Sequence, residues 1–168
     1  MKKIIIFIAI FYSFIGNVSY SKEILPIIEG NIDAKIKLII YESMTCSHCA
    51  DFHKNVYPKL KEEFIDTGDI SLEFRNFPLD LAALNASKLA HCKNDGKSEI
   101  LHFLFNKQNN WVKGNNILDI NNNLKDLINE QNFNLNFENC LEDKEIEDFI
   151  LEERIDGNKK FDIKSTPT

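Results

Sequence analysis

Ile36-Lys-Leu-Ile-Ile-Tyr-Glu-Ser-Met-Thr-Cys-Ser-His-Cys-Ala50 decides how this chain folds. Its first seven residues are mostly β-branched, aromatic or apolar, which predicts a buried strand. Ser43-Met44-Thr45 follow as a turn, and a helix starts near Cys46. Phe52, Val56, Leu60 and Phe64 recur every four residues, the spacing of a buried helical stripe. Pro58 is expected to kink that helix, and Thr67-Gly68-Asp69 to end it. Ile70–Phe77 then alternates apolar and polar residues, the period of a half-buried strand. Strand, helix and strand in this order predict a βαβ unit with a parallel pair and a right-handed crossover.

Outward from that unit, Glu23–Asn31 reads as an extended lead-in carrying Pro26 and Gly30. From Leu79 to about Ile155 the pattern is helical. The candidate helices are Leu81–Cys92, Lys97–Asn109, Ile117–Gln131, Phe137–Leu141 and Lys144–Ile155, with Asp156-Gly157-Asn158 as the stop of the last. No repeat or low-complexity linker separates them, so 79–155 reads as a helical insertion packed on the βαβ unit. The asparagine-rich stretch 106–139 reads as polar helix surface and loop. Phe161–Ile163 leads into Ser165-Thr166-Pro167-Thr168.

The 168 residues, 43% hydrophobic and 27% charged, suit one globular domain with its own core. A formal net charge of −6 argues against nucleic-acid binding through a basic surface. Residues 1–21 have the layout of a signal peptide. Met1-Lys2-Lys3 is a short positive start, and Ile4–Ile15 is apolar apart from Ser13. Gly16 and Asn17 break the run, and Val18-Ser19-Tyr20-Ser21 offers small residues for cleavage. The run is shorter than the roughly 20 residues that span a bilayer. Cleavage after Ser21 removes Lys2 and Lys3 and leaves 18 basic against 26 acidic residues, a net −8. The mature domain is then 22–168, in an oxidising compartment where paired cysteines form disulfides.

There are four cysteines: Cys46, Cys49, Cys92 and Cys140. Thiol–disulfide exchange needs an attacking thiolate and a second thiol that resolves the mixed disulfide. Cys46 and Cys49, three apart at a helix start, share a face and lie close enough for a disulfide. Cys46 sits where free N–H groups and the positive end of the helix dipole favour a thiolate. It is the candidate nucleophile, with Cys49, one turn deeper, the resolving thiol. His48 between them can stabilise the thiolate further, which stabilises the reduced form and makes the disulfide the stronger oxidant. Asp51 should partly oppose this, and the contribution of His53 is open. Two other readings stand beside it. A Cys-x-x-Cys pair can be half of a zinc site, although the other two cysteines are isolated and no second such pair exists. It can also be a structural disulfide, although so short a loop constrains the unfolded chain little.

Leu38–Phe52 resembles the active-site segment of DsbA-like proteins of the thioredoxin superfamily, closest to their alphaproteobacterial-type branch. Asn76-Phe77-Pro78-Leu79-Asp80 is similar to the segment after that family's next strand. Leu101-His102, with Phe105 and Trp111, resembles part of its helical insertion. Ser165-Thr166-Pro167-Thr168 resembles its cis-proline loop. The resemblance implies an α/β thioredoxin-like fold with an inserted helical domain. It implies a periplasmic oxidoreductase that donates disulfides to reduced secreted proteins and is restored by a membrane quinone-linked reoxidase (DsbB-like). It needs no cofactor and no metal. Thr166 matches the position that pairs with an extended substrate backbone beside Pro167. Cys92 and Cys140 match a second, structural disulfide found in some relatives. Such a bridge would contribute about 4 kcal/mol at most; the alternative is two unpaired core thiols.

The chain departs from the family in three places. Ser47 stands where proline is usual, which loosens the turn. Ile40 stands six residues before Cys46, where a buried glutamate is frequent. Glu42, two residues on and on the same strand face, either serves instead as proton acceptor for Cys49 or lies at the surface. The family continues beyond the cis-proline loop with further strands and a helix. The sequence stops at Thr168, so the loop is expected to lack its support and the chain to be marginally stable or inactive. No dimerisation segment precedes the thioredoxin part, so a monomer is expected. The competing functions are a disulfide reductase or isomerase, and a truncated non-catalytic secreted protein that keeps the fold. His91 and His102 read as packing or surface residues, and Trp111 as a hydrophobic anchor.

Overall fold

The computed structural model describes residues 22–168; the expected signal segment lies outside them. Three strands form one sheet in the order β1-β3-β2. β1 is Ile27–Gly30, β2 Ile36–Glu42 and β3 Ile70–Asn76. β2 and β3 run parallel, pairing Ile36 with Ile70 and Glu42 with Asn76. β1 lies antiparallel on the other side of β3, with Ile27 opposite Phe74. The crossover is α1 (Ser47–Asn55), α2 (Tyr57–Leu60) and a π-helical turn (Lys61–Ile65). Pro58 stands in the first turn of α2, where its missing N–H has no intrahelical partner to lose. The helix therefore breaks at Val56. β3 is the middle strand and is buried on both faces; even Ser71 is enclosed. Six helices follow: α3 (Leu81–His91), α4 (Glu99–Asn106), α5 (Gln108–Trp111), α6 (Ile117–Gln131), α7 (Phe137–Glu142) and α8 (Lys144–Phe161).

The fold is the thioredoxin-like α/β arrangement that the resemblance implies, built on the expected βαβ unit, but the structure moves three details. Of the expected stripe Phe52, Val56, Leu60 and Phe64, Phe52 and Leu60 pack half-buried against the core, while Val56 and Phe64 are exposed. The most deeply buried face is Cys49, His53 and Tyr57, with Ile65 beyond. The four-residue period holds, and the deepest face lies one position on from the expected one, where a histidine and a tyrosine are enclosed. Second, Ile36, Leu38 and Ile39 are exposed and only Ile40–Glu42 are buried. β2 is an edge strand, and among the described residues no element covers its first half. Third, α8 does not stop at Gly157 but runs to Phe161. The glycine serves packing there. A Cβ on it would sit 2.7 Å from Tyr41 Cε1, so its absence lets the helix lie on the β2 ring.

The core is continuous from the sheet into the helices. Phe74, Leu72 and Ile27 meet Leu89, Leu104, Trp111, Leu124 and Ile128. Trp111 is fully buried and its Nε1–H donates to the Leu104 carbonyl at 2.9 Å. Cys92, just past α3, and Cys140 in α7 are joined by a disulfide with Cα atoms 5.4 Å apart. At the far end of the chain the Thr166–Pro167 bond is cis. Thr168 exchanges two backbone hydrogen bonds with Tyr41, at 2.8 and 3.1 Å, so the loop is tied to the edge of β2.

Gly157→Ala is expected to destabilise the protein by about 1–2 kcal/mol, because overpacking against Tyr41 outweighs the ~1 kcal/mol gain in helix propensity. A lower urea midpoint with unchanged slope checks this; an equal or higher midpoint contradicts it.

Candidate active site

The site is built where β2 hands over to α1. Cys46 is the N-cap of α1 with extended backbone (φ −74°, ψ 119°), and its carbonyl accepts the Ala50 N–H. The N–H groups of the first turn are therefore free to face the Cys46 sulfur. Three residues from outside the βαβ unit hold Cys46 and the turn before it through four hydrogen bonds. Thr45 Oγ1 donates to Asp80 Oδ2 at 2.8 Å, and Asp80 is itself the N-cap of α3. The Leu79 N–H donates to Ser43 Oγ. Gln108, from α5, donates its amide to the carbonyls of Met44 (2.8 Å) and Cys46 (2.9 Å).

The two sulfurs meet unlike surroundings. Cys46 is half-buried, and its Sγ–H donates to the Thr166 carbonyl at 3.4 Å. Burial alone would raise its pKa. Hydrogen bonds from Thr166, from Cys49 and from the His48 N–H outweigh burial and hold the thiol below its ordinary value. Cys49 is fully buried, and burial pushes its thiol up to about 12 despite bonds from Ser43 and Thr166. The buried Thr166 hydroxyl thus faces both sulfurs and has no other hydrogen-bond partner among the described residues. The two cysteines are free thiols in this state. The His48 ring is exposed and makes no side-chain hydrogen bond among the described residues; its backbone N–H is what reaches Cys46.

One helical turn after Cys49, on the same buried face, His53 enters a polar chain that sequence reading left unconnected. Glu42 is buried, not at the surface. Its Oε2 lies 2.8 Å from His53 Nε2. His53 Nδ1 lies 3.0 Å from His102 Nδ1, and His102 Nε2 lies 2.8 Å from Glu29 Oε1. Glu29 also accepts from Tyr57 Oη (2.5 Å) and from Ser98 Oγ. His53 is sandwiched by aromatic rings, stacking on Phe105 with centroids 4.0 Å apart. Burial lowers the His53 pKa to about 3 and raises Glu42 well above the carboxylate range, so both are neutral partners. Burial opposes charge on Glu29 too, but His102, Ser98 and Tyr57 together lower it to about 2.

Gln108 and this chain were not legible. Gln108 lies in the asparagine-rich stretch read as surface, and no local signal marks it. His53 follows Cys49 by one helical turn, and that spacing was the signal that could have found it. His91 is buried and bonds Asn76 Nδ2 at 2.8 Å. Among the described residues no group of three or more His, Cys, Asp or Glu side chains is placed to hold a metal ion. None of the described helices is long and apolar enough to cross a membrane.

A sheet of this order with a Cys-x-x-Cys at the first crossover helix and a cis-proline loop against it defines a thioredoxin-fold dithiol site. A family model described as Thioredoxin matches residues 22–168, and the chain belongs to that family, in its DsbA-like branch. The crystal structure of Wolbachia pipientis alpha-DsbA1 superposes with a TM-score of 0.73 at 35% identity, covering 84% of this chain and 72% of that one. A Rickettsia bellii relative named for protein-disulfide oxidoreduction is 40% identical over 88 residues, 51% of this chain. That match spans 34% of the relative's length. Disulfide bond formation protein D of Bacillus subtilis is 27% identical over 150 residues, 83% of this chain and 64% of its own.

Gln108→Ala leaves the Met44 and Cys46 carbonyls without their donor, at about 1–3 kcal/mol for each that stays dry. The expected outcome is a lower melting temperature together with slower alkylation of Cys46 at a fixed pH below its ordinary titration range. Alkylation at the parent rate would show that the amide does not position the sulfur.

Proposed function

We propose that this chain carries a thiol–disulfide oxidoreductase site that donates disulfides to reduced secreted proteins. The single observation that carries the reading is the placement of the sulfurs, Cys46 half-buried at the N-cap of α1 against the Thr166 loop and Cys49 fully buried one turn on, which holds the first thiol below its ordinary value and pushes the second up. A stabilised Cys46 thiolate favours the reduced form of the protein, so its disulfide is readily given away. In the oxidised form a substrate thiolate attacks Cys46 Sγ, the Cys46–Cys49 bond breaks, and Cys49 leaves and takes up a proton. A second substrate thiolate then attacks the mixed disulfide and releases Cys46 as the thiolate. Attack falls on Cys46 because Cys49 is fully buried.

Thr166 and Pro167 supply the docking edge. The Thr166 carbonyl faces Cys46, and an extended peptide pairing beside Pro167 would bring its cysteine to that sulfur. His48 adds positive potential at the rim when protonated. The Cys92–Cys140 bridge lies in the helical part, remote in sequence from the site, and serves stability. The setting we propose is the periplasm, after removal of residues 1–21. The regenerating partner is a DsbB-like, quinone-linked membrane protein, and the working form is a monomer.

Cys49→Ala is expected to accumulate mixed disulfides through Cys46 when offered reduced, unfolded secreted proteins, and Cys46→Ala to accumulate none. Equilibration of the parent dithiol with glutathione is expected to leave it largely reduced where ordinary structural disulfides stay oxidised. Absence of trapped adducts, or a dithiol that oxidises as readily as a structural pair, would sink the oxidase reading.

A further inference from the structure

One face of α1 borders a polar cavity of about 260 Å³ beside the dithiol. Ser47, Asp51 and Lys54 line it from α1, and the small Ala50 between them leaves the space. Asn106, at the end of α4, and Gln108 and Asn109, in α5, line it from the helical part. Ser47 follows Cys46 directly, and the Gln108 amide bonds the Cys46 carbonyl at 2.9 Å. The cavity therefore opens at the start of the helix that carries the reactive sulfur. The Thr166 loop does not border it, so it is separate from the peptide-docking edge.

The polar groups of this cavity are unmatched. Asp51 and Lys54 stand three apart on α1, a spacing that lets opposite charges meet, yet neither forms an ion pair among the described residues. At the same spacing on α8, Lys144 and Glu147 close to 2.9 Å. The Ser47, Asn106 and Asn109 side chains make no hydrogen bond among the described residues either. Gln108 is only 6% exposed, and its amide nitrogen is committed to the Met44 and Cys46 carbonyls. Its Oε1 is left as an acceptor without a partner among the described residues, where an enclosed acceptor ordinarily has one. One anion, one cation and several amides gathered beside a sulfur match an amino-acid head group. Its ammonium suits Asp51 and Gln108, and its carboxylate suits Lys54. Asp51 and Lys54 lie five and eight residues beyond Cys46, about 7.5 and 12 Å along the helix axis. The head group of cysteine itself would fall short. One carried a peptide unit and two methylenes further, as in glutathione, reaches about 7 Å or more.

We propose that this cavity binds the γ-glutamyl head group of a small peptide thiol of the glutathione kind joined to Cys46, and that the disulfide form of that thiol reoxidises the site directly. The proposal rests on the dithiol chemistry above and adds an oxidant of low molecular weight with its own binding site. In the reduced protein the Cys46 thiolate attacks one sulfur of oxidised glutathione. The bond from Cys46 to glutathione forms, the glutathione disulfide breaks, and one glutathione leaves as a thiolate. Cys49 then gives its proton to solvent and attacks Cys46 Sγ. The Cys46–Cys49 bond forms and the second glutathione leaves as a thiolate. Two electrons pass from the protein to the glutathione disulfide, and the two leaving thiolates take up the two protons that the protein thiols release. Between the two steps the head group of the joined glutathione lies between Asp51 and Lys54. The chain carries a net charge of −6, so an unpaired lysine beside the sulfur is the feature that draws an anionic peptide to it.

The test compares two disulfides on the reduced full chain. Oxidised glutathione carries the charged arms, and hydroxyethyl disulfide has the same sulfur linkage without them. Oxidation by each is followed by mass after acid quenching. The readout is the ratio of the two rates, in which changes in the reactivity of Cys46 itself cancel. Lys54→Gln is expected to lower the ratio at least roughly threefold, the size of one surface ion pair. Exchanging the charges, Asp51→Lys with Lys54→Asp, keeps the net charge and is expected to lower the ratio further, which general attraction of an anion would not do. Both side chains are exposed, so either variant is expected to fold, and either decides alone. A parent-like ratio in either folded variant overturns the proposal. Reaction of the parent dithiol with neither disulfide would instead overturn the dithiol reading itself.

Discussion

Cys46 Sγ rests 3.4 Å from the Thr166 carbonyl, and that contact joins parts of the chain 120 residues apart. The rest of the site depends on it. β2 and β3 must pair in parallel so that α1 starts at the end of the sheet. The cis Thr166–Pro167 loop must return to the same end, and its neighbour Thr168 is held there by backbone bonds to Tyr41. Gly157 lets α8 close over the Tyr41 ring and bring the chain back. Each of these constraints serves to put an oxygen and a hydroxyl beside a pair of sulfurs.

The sulfurs differ because the helix start divides them. Cys46, at the N-cap, meets free N–H groups and a partly open rim; Cys49, three residues on, lies inside. Desolvation disfavours charge at both positions, and only Cys46 has enough donors to overcome it. The helical part contributes to this asymmetry through Gln108, whose amide satisfies the carbonyls of the turn. A loosely held turn would let the sulfur drift from those donors.

The βαβ unit was legible because it rests on local signals: an apolar run, a turn, a Cys-x-x-Cys at a helix start and a glycine stop. Helix α6 was read to its end residues, since its periodicity and flanking asparagines are strong. What failed was what depends on partners far away. The exposed first half of β2 follows from its place at the sheet edge, which no local pattern announces. Gly157 looked like a helix stop because the Tyr41 ring that needs its small size is more than a hundred residues upstream. The buried stripe slipped by one position because His53 is polar by type but enclosed by Phe74 and Phe105. Glu42 was undecided between surface and core, and its burial is explained by a histidine donor-acceptor pair that the strand itself does not reveal.

The central claim is the split between the two thiols, and thiolate absorbance of the reduced protein measures it directly as pH is raised. The account predicts that one sulfur ionises clearly below 9.0 and the second only near 12, with Cys46→Ala abolishing the first step. Two thiols titrating together near the ordinary value, or a first step that survives Cys46→Ala, would contradict it.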